Sequence, residues 1–205
     1  MGREVFFGTG YGGTHDQDAP MAIAALAILG EVARICGELG ARLKYYTMRS
    51  YLVPVGQDLI KAGYLSASRP ELYSPDLVVY TGEDQRAFMA AVMNYIAGEK
   101  PGAVLFFGAT YWETINVLGT GAVVGSFQIA GTPRLYYQSI ISCTADYCLL
   151  GDELYAAAAA ITEDEPQISA IGAFDIIKAF LLILLVAGVI SITLGFPLIS
   201  ILRGW

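Results

Sequence analysis

The sequence predicts an α/β fold: a doubly wound, mostly parallel, Rossmann-like sheet of about six strands, followed by one C-terminal transmembrane helix. Three observations carry this. Short β-rich runs alternate with helical ones from the amino terminus onward, the pattern of a parallel sheet covered on both faces. One of those runs, 103–107 (AVLFF), is apolar throughout, as suits the middle of such a sheet. The stretch 179–202 (AFLLILLVAGVISITLGFPLISIL) carries no charge and exceeds the roughly 20 residues a helix needs to cross a bilayer core.

Residues 4–7 (EVFF) form the first expected strand, and 8–20 a glycine-rich loop. Residues 21–39 follow as a helix stopped by Gly40; its first half, 21–29, has no polar face, so it is buried or covered by another subunit. The second strand is 43–47 (LKYYT), with a short helix over 54–65. Ser68 and Glu71 have the spacing of a capping box around one helical turn. The third strand is 77–80 (LVVY), and 84–98 is an amphipathic helix with Phe88, Val92 and Ile96 on one face. After the fourth strand comes a helix over 110–118, then a fifth strand over 123–129. A short helix over 135–142, a sixth strand over 147–150 (YCLL) and a last helix over 153–161 complete the head. That last helix holds an alanine run, 156–160, whose small side chains allow close approach, either within the chain or to another subunit.

The 205 residues divide into a head over 1–165, a linker or juxtamembrane helix over 166–178 that enters the membrane as one continuous helix, the span over 179–202 and a tail over 203–205. Pro197 is expected to kink the span's last turns, and Arg203 and Trp205 suit the headgroup layer. Lys178 and Arg203 put one cation on each side, so the positive-inside count is a tie. A net charge of −7 with no basic cluster argues against nucleic acid. Charged residues are only 15% of the chain, which suggests that a partner covers some of the head. Of three cysteines, Cys36 sits in an apolar helical pattern, and Cys143 and Cys148 have neither redox nor zinc-knuckle spacing. The odd count, and an opening Met1-Gly2-Arg3 that leads straight into a strand, favour a head on the cytoplasmic side of the cell membrane.

In a doubly wound sheet a ligand sits beyond the carboxyl ends of the strands. The candidate binding loop there is Gly8, Thr9, Gly10, Gly12, Gly13 and Thr14, in which Gly8, Gly10 and Gly13 match G-x-G-x-x-G after a strand. The fingerprint is imperfect: HDQDAP precedes the helix, and the second strand ends in Thr47-Met48-Arg49-Ser50 rather than an acid. A plain connecting loop is the alternative. His15, the one histidine, sits beside Asp16 and Asp18; the group could work as acid and base, or Asp18 could cap the helix while the others are solvated. Thr110 and Glu113 have capping-box spacing, and if their loop lies beside the first, Tyr111 and Trp112 wall a pocket that Glu113 faces. Gln128, Thr132 and the Asp152-Glu153 pair complete the expected rim. No catalytic set, metal cluster or cofactor motif is identified. Paired tyrosines at 45–46 and 136–137 suit contacts with other proteins.

Several segments, the loop at Gly8 through APMAIAALAILGEVARICGELGA, VGSFQIAGTPRL, DYCLLGDELYAAAAAI and the apolar tail, resemble an uncharacterised prokaryotic family, a domain of unknown function. The resemblance implies an α/β head followed by a C-terminal transmembrane helix and carries no activity or catalytic residues with it. Two functions are expected from the residues. One is a membrane-tethered structural or interaction subunit, contacting lipid through 179–202 and self-associating or joining other membrane-complex subunits. The other is an enzyme or sensor that binds a nucleotide or anionic small molecule on the loop from Gly8 to Thr14.

Overall fold

Six strands, β1 (Val5–Gly10), β2 (Leu43–Thr47), β3 (Val78–Tyr80), β4 (Ala103–Ala109), β5 (Phe127–Thr132) and β6 (Tyr147–Leu150), form one parallel sheet in the order β3-β2-β1-β4-β5-β6. The computed structural model describes residues 4–163 and 165–194, with the backbone alone at 165–167 and 170. These residues make two units, one ending at Glu163 and the other following it.

Strand side chains alternate between two cores, as a pleat requires. Phe7, Tyr45, Leu105 and Phe107 face α1 (Ala19–Leu39), α2 (Leu52–Ser66) and α6 (Glu153–Thr162). Phe6, Val104, Phe106 and Ala130 face α3 (Gln85–Glu99), α4 (Glu113–Val124) and α5 (Leu135–Thr144). The head is therefore a doubly wound, three-layer α/β sandwich of the Rossmann type.

The apolar first half of α1 is covered within the chain: Ala22, Ala25 and Leu29 are fully buried, between α2 on one side and α6 on the other. The alanine run supplies part of that cover, since Ala158 and Ala159 are buried, Ala158 in the same core as α1. Neither feature calls for a second subunit. Tyr45 is likewise fully buried, with its hydroxyl 3.1 Å from that of Thr9, so this ring belongs to the core and not to a partner surface.

Helices α1 and α2 approach closely through glycine. A Cβ on Gly63 would lie 2.6 Å from the Ala33 Cβ and 2.8 Å from the Arg34 backbone nitrogen. Backbone cannot rotate away as a side-chain tip can.

Three local expectations are corrected. The fifth strand starts at Phe127, because Val123 and Val124 finish α4 and Gly125 caps it in the left-handed region (φ 72°). No capping box forms at Ser68: the short 3₁₀ turn Pro70–Leu72 has no side-chain cap, and Glu71 pairs with Arg69 at 2.6 Å. Helix α4 begins at Glu113 and not at 110, so Thr110 is the last buried step out of β4. The expected juxtamembrane helix over 166–178 is part of α7, which runs unbroken over Glu165–Thr193.

Helix α7 is the second unit. Its segment Ile171–Thr193 has a mean hydropathy of 2.6, none of its most apolar window is buried, and it is long and apolar enough to cross a membrane. Helix α1 passes the same length and composition test, but 44% of its window is buried and it is a core helix. Residues 195–202 of the expected span, with Pro197, and Arg203 and Trp205 of the tail lie outside the described residues, as does Asp164 near the end of the expected head.

Gly63→Ala is expected to cost about 1–3 kcal/mol through overpacking of the α1–α2 contact, measured by urea denaturation of the head against the exposed control Gly98→Ala.

Candidate functional site

The crossover through α3 carries the chain from β3, at one edge, to β4 beside β1. The connections after β1 and β4 therefore leave in opposite directions and open a crevice between them, where ligands bind in folds of this kind. The two strand ends are pressed together. Gly10 lies in the left-handed region (φ 66°), and a Cβ there would meet the Ala109 carbonyl oxygen at 2.6 Å. Gly108 (φ 100°) would meet the Thr9 carbonyl oxygen at 2.8 Å in the same way. Only glycine adopts these angles at little cost, and the pairing of β1 with β4 shifts register between Gly8 and Gly10. The Tyr11 amide then donates to the Ala109 carbonyl at 2.9 Å.

The structure brings the glycine loop to this crevice but fills it with the protein's own atoms. A Cβ on Gly12 would meet Ala109 and Asp18, and one on Gly13 the Tyr51 hydroxyl. Gly8 is packed against the Phe106 ring. Thr9 faces the core, the Thr14 amide donates to the Tyr51 hydroxyl at 3.1 Å, and the exposed His15 ring stands edge-on to Tyr51 at 4.9 Å. The Asp16 carboxylate accepts from the Asp18 amide at 2.9 Å and lies 3.7 Å from the Arg49 guanidinium. The glycines thus serve close approach of one chain segment to another.

Asp18 departs from both expectations for it. It occupies the position before α1, yet its side chain caps nothing and only 4% of it is exposed. The carboxylate instead pairs with Arg134 and accepts from the Tyr111 hydroxyl at 3.1 Å. Arg134 also donates to that hydroxyl at 2.6 Å, and its guanidinium lies 4.2 Å from the Tyr111 ring centroid. Burial and the Asp18 carboxylate push the Tyr111 phenol up to about 12. This joint ties together the connections that follow β1, β4 and β5. Thr132 adds a bond beneath it, donating to the Gly108 carbonyl at 2.9 Å.

Glu113 is fully buried at the start of α4. One oxygen accepts from the Tyr111 amide at 3.0 Å and the other from the Gln85 side chain on α3. Burial raises the carboxyl above its ordinary value. No capping box with Thr110 forms: Glu113 bonds the Tyr111 amide, and the buried Thr110 hydroxyl has no partner among the described residues. Beside this pair lies a cleft of about 510 Å³ lined by Tyr11, Glu83, Asp84, Gln85, Arg86 and Trp112. Asp84 caps α3 by accepting from the Arg86 and Ala87 amides at 2.9 and 3.0 Å. Tyr11 carries the Arg49 guanidinium on its ring at 4.7 Å and meets Tyr111 edge-on at 5.4 Å.

Gln128 does not belong to this site. It is the second residue of β5, at the amino end of the sheet, where its side-chain nitrogen donates to the Thr144 carbonyl at 3.3 Å and its backbone amide to the Asp146 carboxylate at 2.7 Å. The expectation placed it on the rim because the strand was set four residues too early. Arg134, Gln85, Glu83 and Arg86 were not singled out from sequence. Arg134 follows a Gly-Thr-Pro turn signal that announces a loop but not its partner. Among the described residues no group of three His, Cys, Asp or Glu is placed to hold a metal ion.

Fold and crevice together define a doubly wound α/β domain with a switch-point cleft, followed by a long apolar helix. The chain belongs to the family described as Domain of unknown function (DUF6754), whose model matches residues 1–202. No curated protein matches it, and no solved structure does.

Arg134→Ala leaves the Asp18 carboxylate buried with only the Tyr111 hydroxyl. It is expected to cost about 3–5 kcal/mol, and a double-mutant cycle with Asp18→Asn should return a coupling well above the 1 kcal/mol typical of exposed pairs. Glu113 gives a pH signature. The unfolded chain ionises near the ordinary value of 4.5, and the folded one only at a higher pH. Between the two the fold holds the extra proton, so its stability falls as pH rises and levels off above the raised value. Glu113→Gln should remove this slope, which chemical denaturation between about pH 4 and pH 8 would reveal.

Proposed function

We propose that this protein is a membrane-anchored α/β domain, held in the cell membrane by a single pass of α7, that binds a small polar ligand in the crevice between β1 and β4. The observation that carries the reading is the convergence at that crevice of an open cleft, a fully buried carboxyl on Glu113 and a joint of buried charges. A buried carboxyl raised by desolvation beside a cleft is a recognised mark of a functional site. Anchoring is supported by the apolar length of Ile171–Thr193, with no residue of its most apolar window buried.

A second reading, an interaction subunit of a homo-oligomer or larger membrane assembly, is favoured by one surface. An apolar groove of about 390 Å³ between α3 and α4 is lined by Met93, Ile115, Asn116, Gly119, Thr120 and Val123, and Val123 is 87% exposed. A head on the cytoplasmic side remains part of the proposal, supported by the free state of Cys36, Cys143 and Cys148.

One preparation tests both readings. The full chain is expected to stay with membranes through an alkaline wash and to need detergent for release; recovery in the wash would sink the anchor. In mild detergent, a monomer mass unchanged by Val123→Asp would remove the oligomer, whereas a multimer dissolved by that change would support it.

A further inference from the structure

The geometry points to a nucleoside monophosphate as the ligand of the crevice, its base on the aromatic wall of Tyr11 and Trp112, its ribose hydroxyls on Glu83 and its phosphate on Arg86. This rests on the reading of the crevice as a ligand site and gives it a chemical class.

Size comes first. A cleft of about 510 Å³ lies within the range of sites that take drug-sized molecules. The wall comes next. Trp112 stands at the head of α4 with 41% of its surface exposed and takes no part in either core. Tyr11 lines the cleft beside it, and its ring is held in place by Arg49 at 4.7 Å and by Tyr111 edge-on at 5.4 Å. Aromatic side chains of this kind hold bases by stacking.

The charges narrow the class. Asp84 spends its carboxylate on the α3 amides, while Glu83 and Arg86 line the cleft without an ion pair among the described residues. A carboxylate accepts from two neighbouring hydroxyls, and a guanidinium takes a phosphate in a two-pronged bond. Gln85 is held by its nitrogen on Glu113, which leaves the amide oxygen to accept from a base amine. Glu113 is here a positioning residue.

The count of cations limits the phosphates to one. Arg49 is engaged by Asp16 and the Tyr11 carbonyl, and Arg134 by Asp18. The glycine loop that would cradle further phosphates is occupied by Ala109, Asp18 and Tyr51. A triphosphate would leave most of its charge unmatched.

The chain has two tryptophans, so Trp205→Phe makes Trp112 the sole reporter. Full-length W205F in detergent would be titrated with nucleoside monophosphates, nucleosides, nucleoside triphosphates, ribose 5-phosphate, inorganic phosphate, amino acids and hexoses, following Trp112 emission and the melting temperature. Saturable quenching is expected from monophosphates, more weakly from nucleosides, and from neither phosphate nor ribose 5-phosphate. Glu83→Gln should weaken nucleoside and monophosphate alike, by about tenfold; Arg86→Gln should weaken the monophosphate by about as much and leave the nucleoside unchanged. Tighter binding of triphosphates, or an equal loss of nucleoside in Arg86→Gln, would overturn the assignment. Saturable quenching by amino acids or hexoses alone would overturn the ligand class and keep the crevice. A full panel without any change in emission or melting would sink both.

Discussion

A carboxylate with 4% of its side chain exposed keeps its charge only when other groups replace the water it has lost. For Asp18 those groups come from far along the chain: the guanidinium of Arg134 and the hydroxyl of Tyr111. The connection after β1 is therefore fixed by the connections after β4 and β5, and not by its own helix. The glycines of the loop follow from this. With Asp18 drawn inward, the segment before it must lie flat on Ala109, and only a residue without a side chain leaves room. Trp112 and Tyr11 stand beside the cleft because the joint beneath them leaves the two strand ends little freedom.

Most of the fold was legible because periodicity and burial are recorded locally. Residues 43–47 and 147–150 were read with the boundaries they have, and every helix of the head was found at its place in the order. The strand order was not legible, since it depends on which distant faces meet. The misplaced fifth strand has a local cause: Val123 and Val124 favour strands by their branching, but they are the last turn of α4 and Gly125 ends it. The candidate site was read in half. The loops after β1 and β4 meet as the topology rule directs, and Trp112 lines a cleft as expected, but the second ring there is Tyr11 and not Tyr111. That Asp18 would choose Arg134 over its own helix end left no mark in spacing, because a residue before a helix looks the same whether its side chain turns in or out.

The features that suggested a covering partner for the head are largely consumed inside it. The apolar half of α1, the alanines of α6 and the ring of Tyr45 cover one another across a single core. Apolar side chains that remain outward on the head include Val123 in the groove between α3 and α4, Leu39 at the end of α1, and Leu135 and Tyr136 on α5; α7 carries no charge from Ala179 to Thr193. A helix apolar on every side has no preferred face to hide, which is why length and hydropathy alone make it a candidate span.

The outermost strands are also the shortest. Strand β3 has 3 residues and β6 has 4, against 7 in β4 near the middle. Each rim of the sheet therefore offers few unsatisfied amides to a neighbour. A long bare rim would let crowded copies zip side by side into ribbons, and blunt rims of this length deny them the backbone to do so.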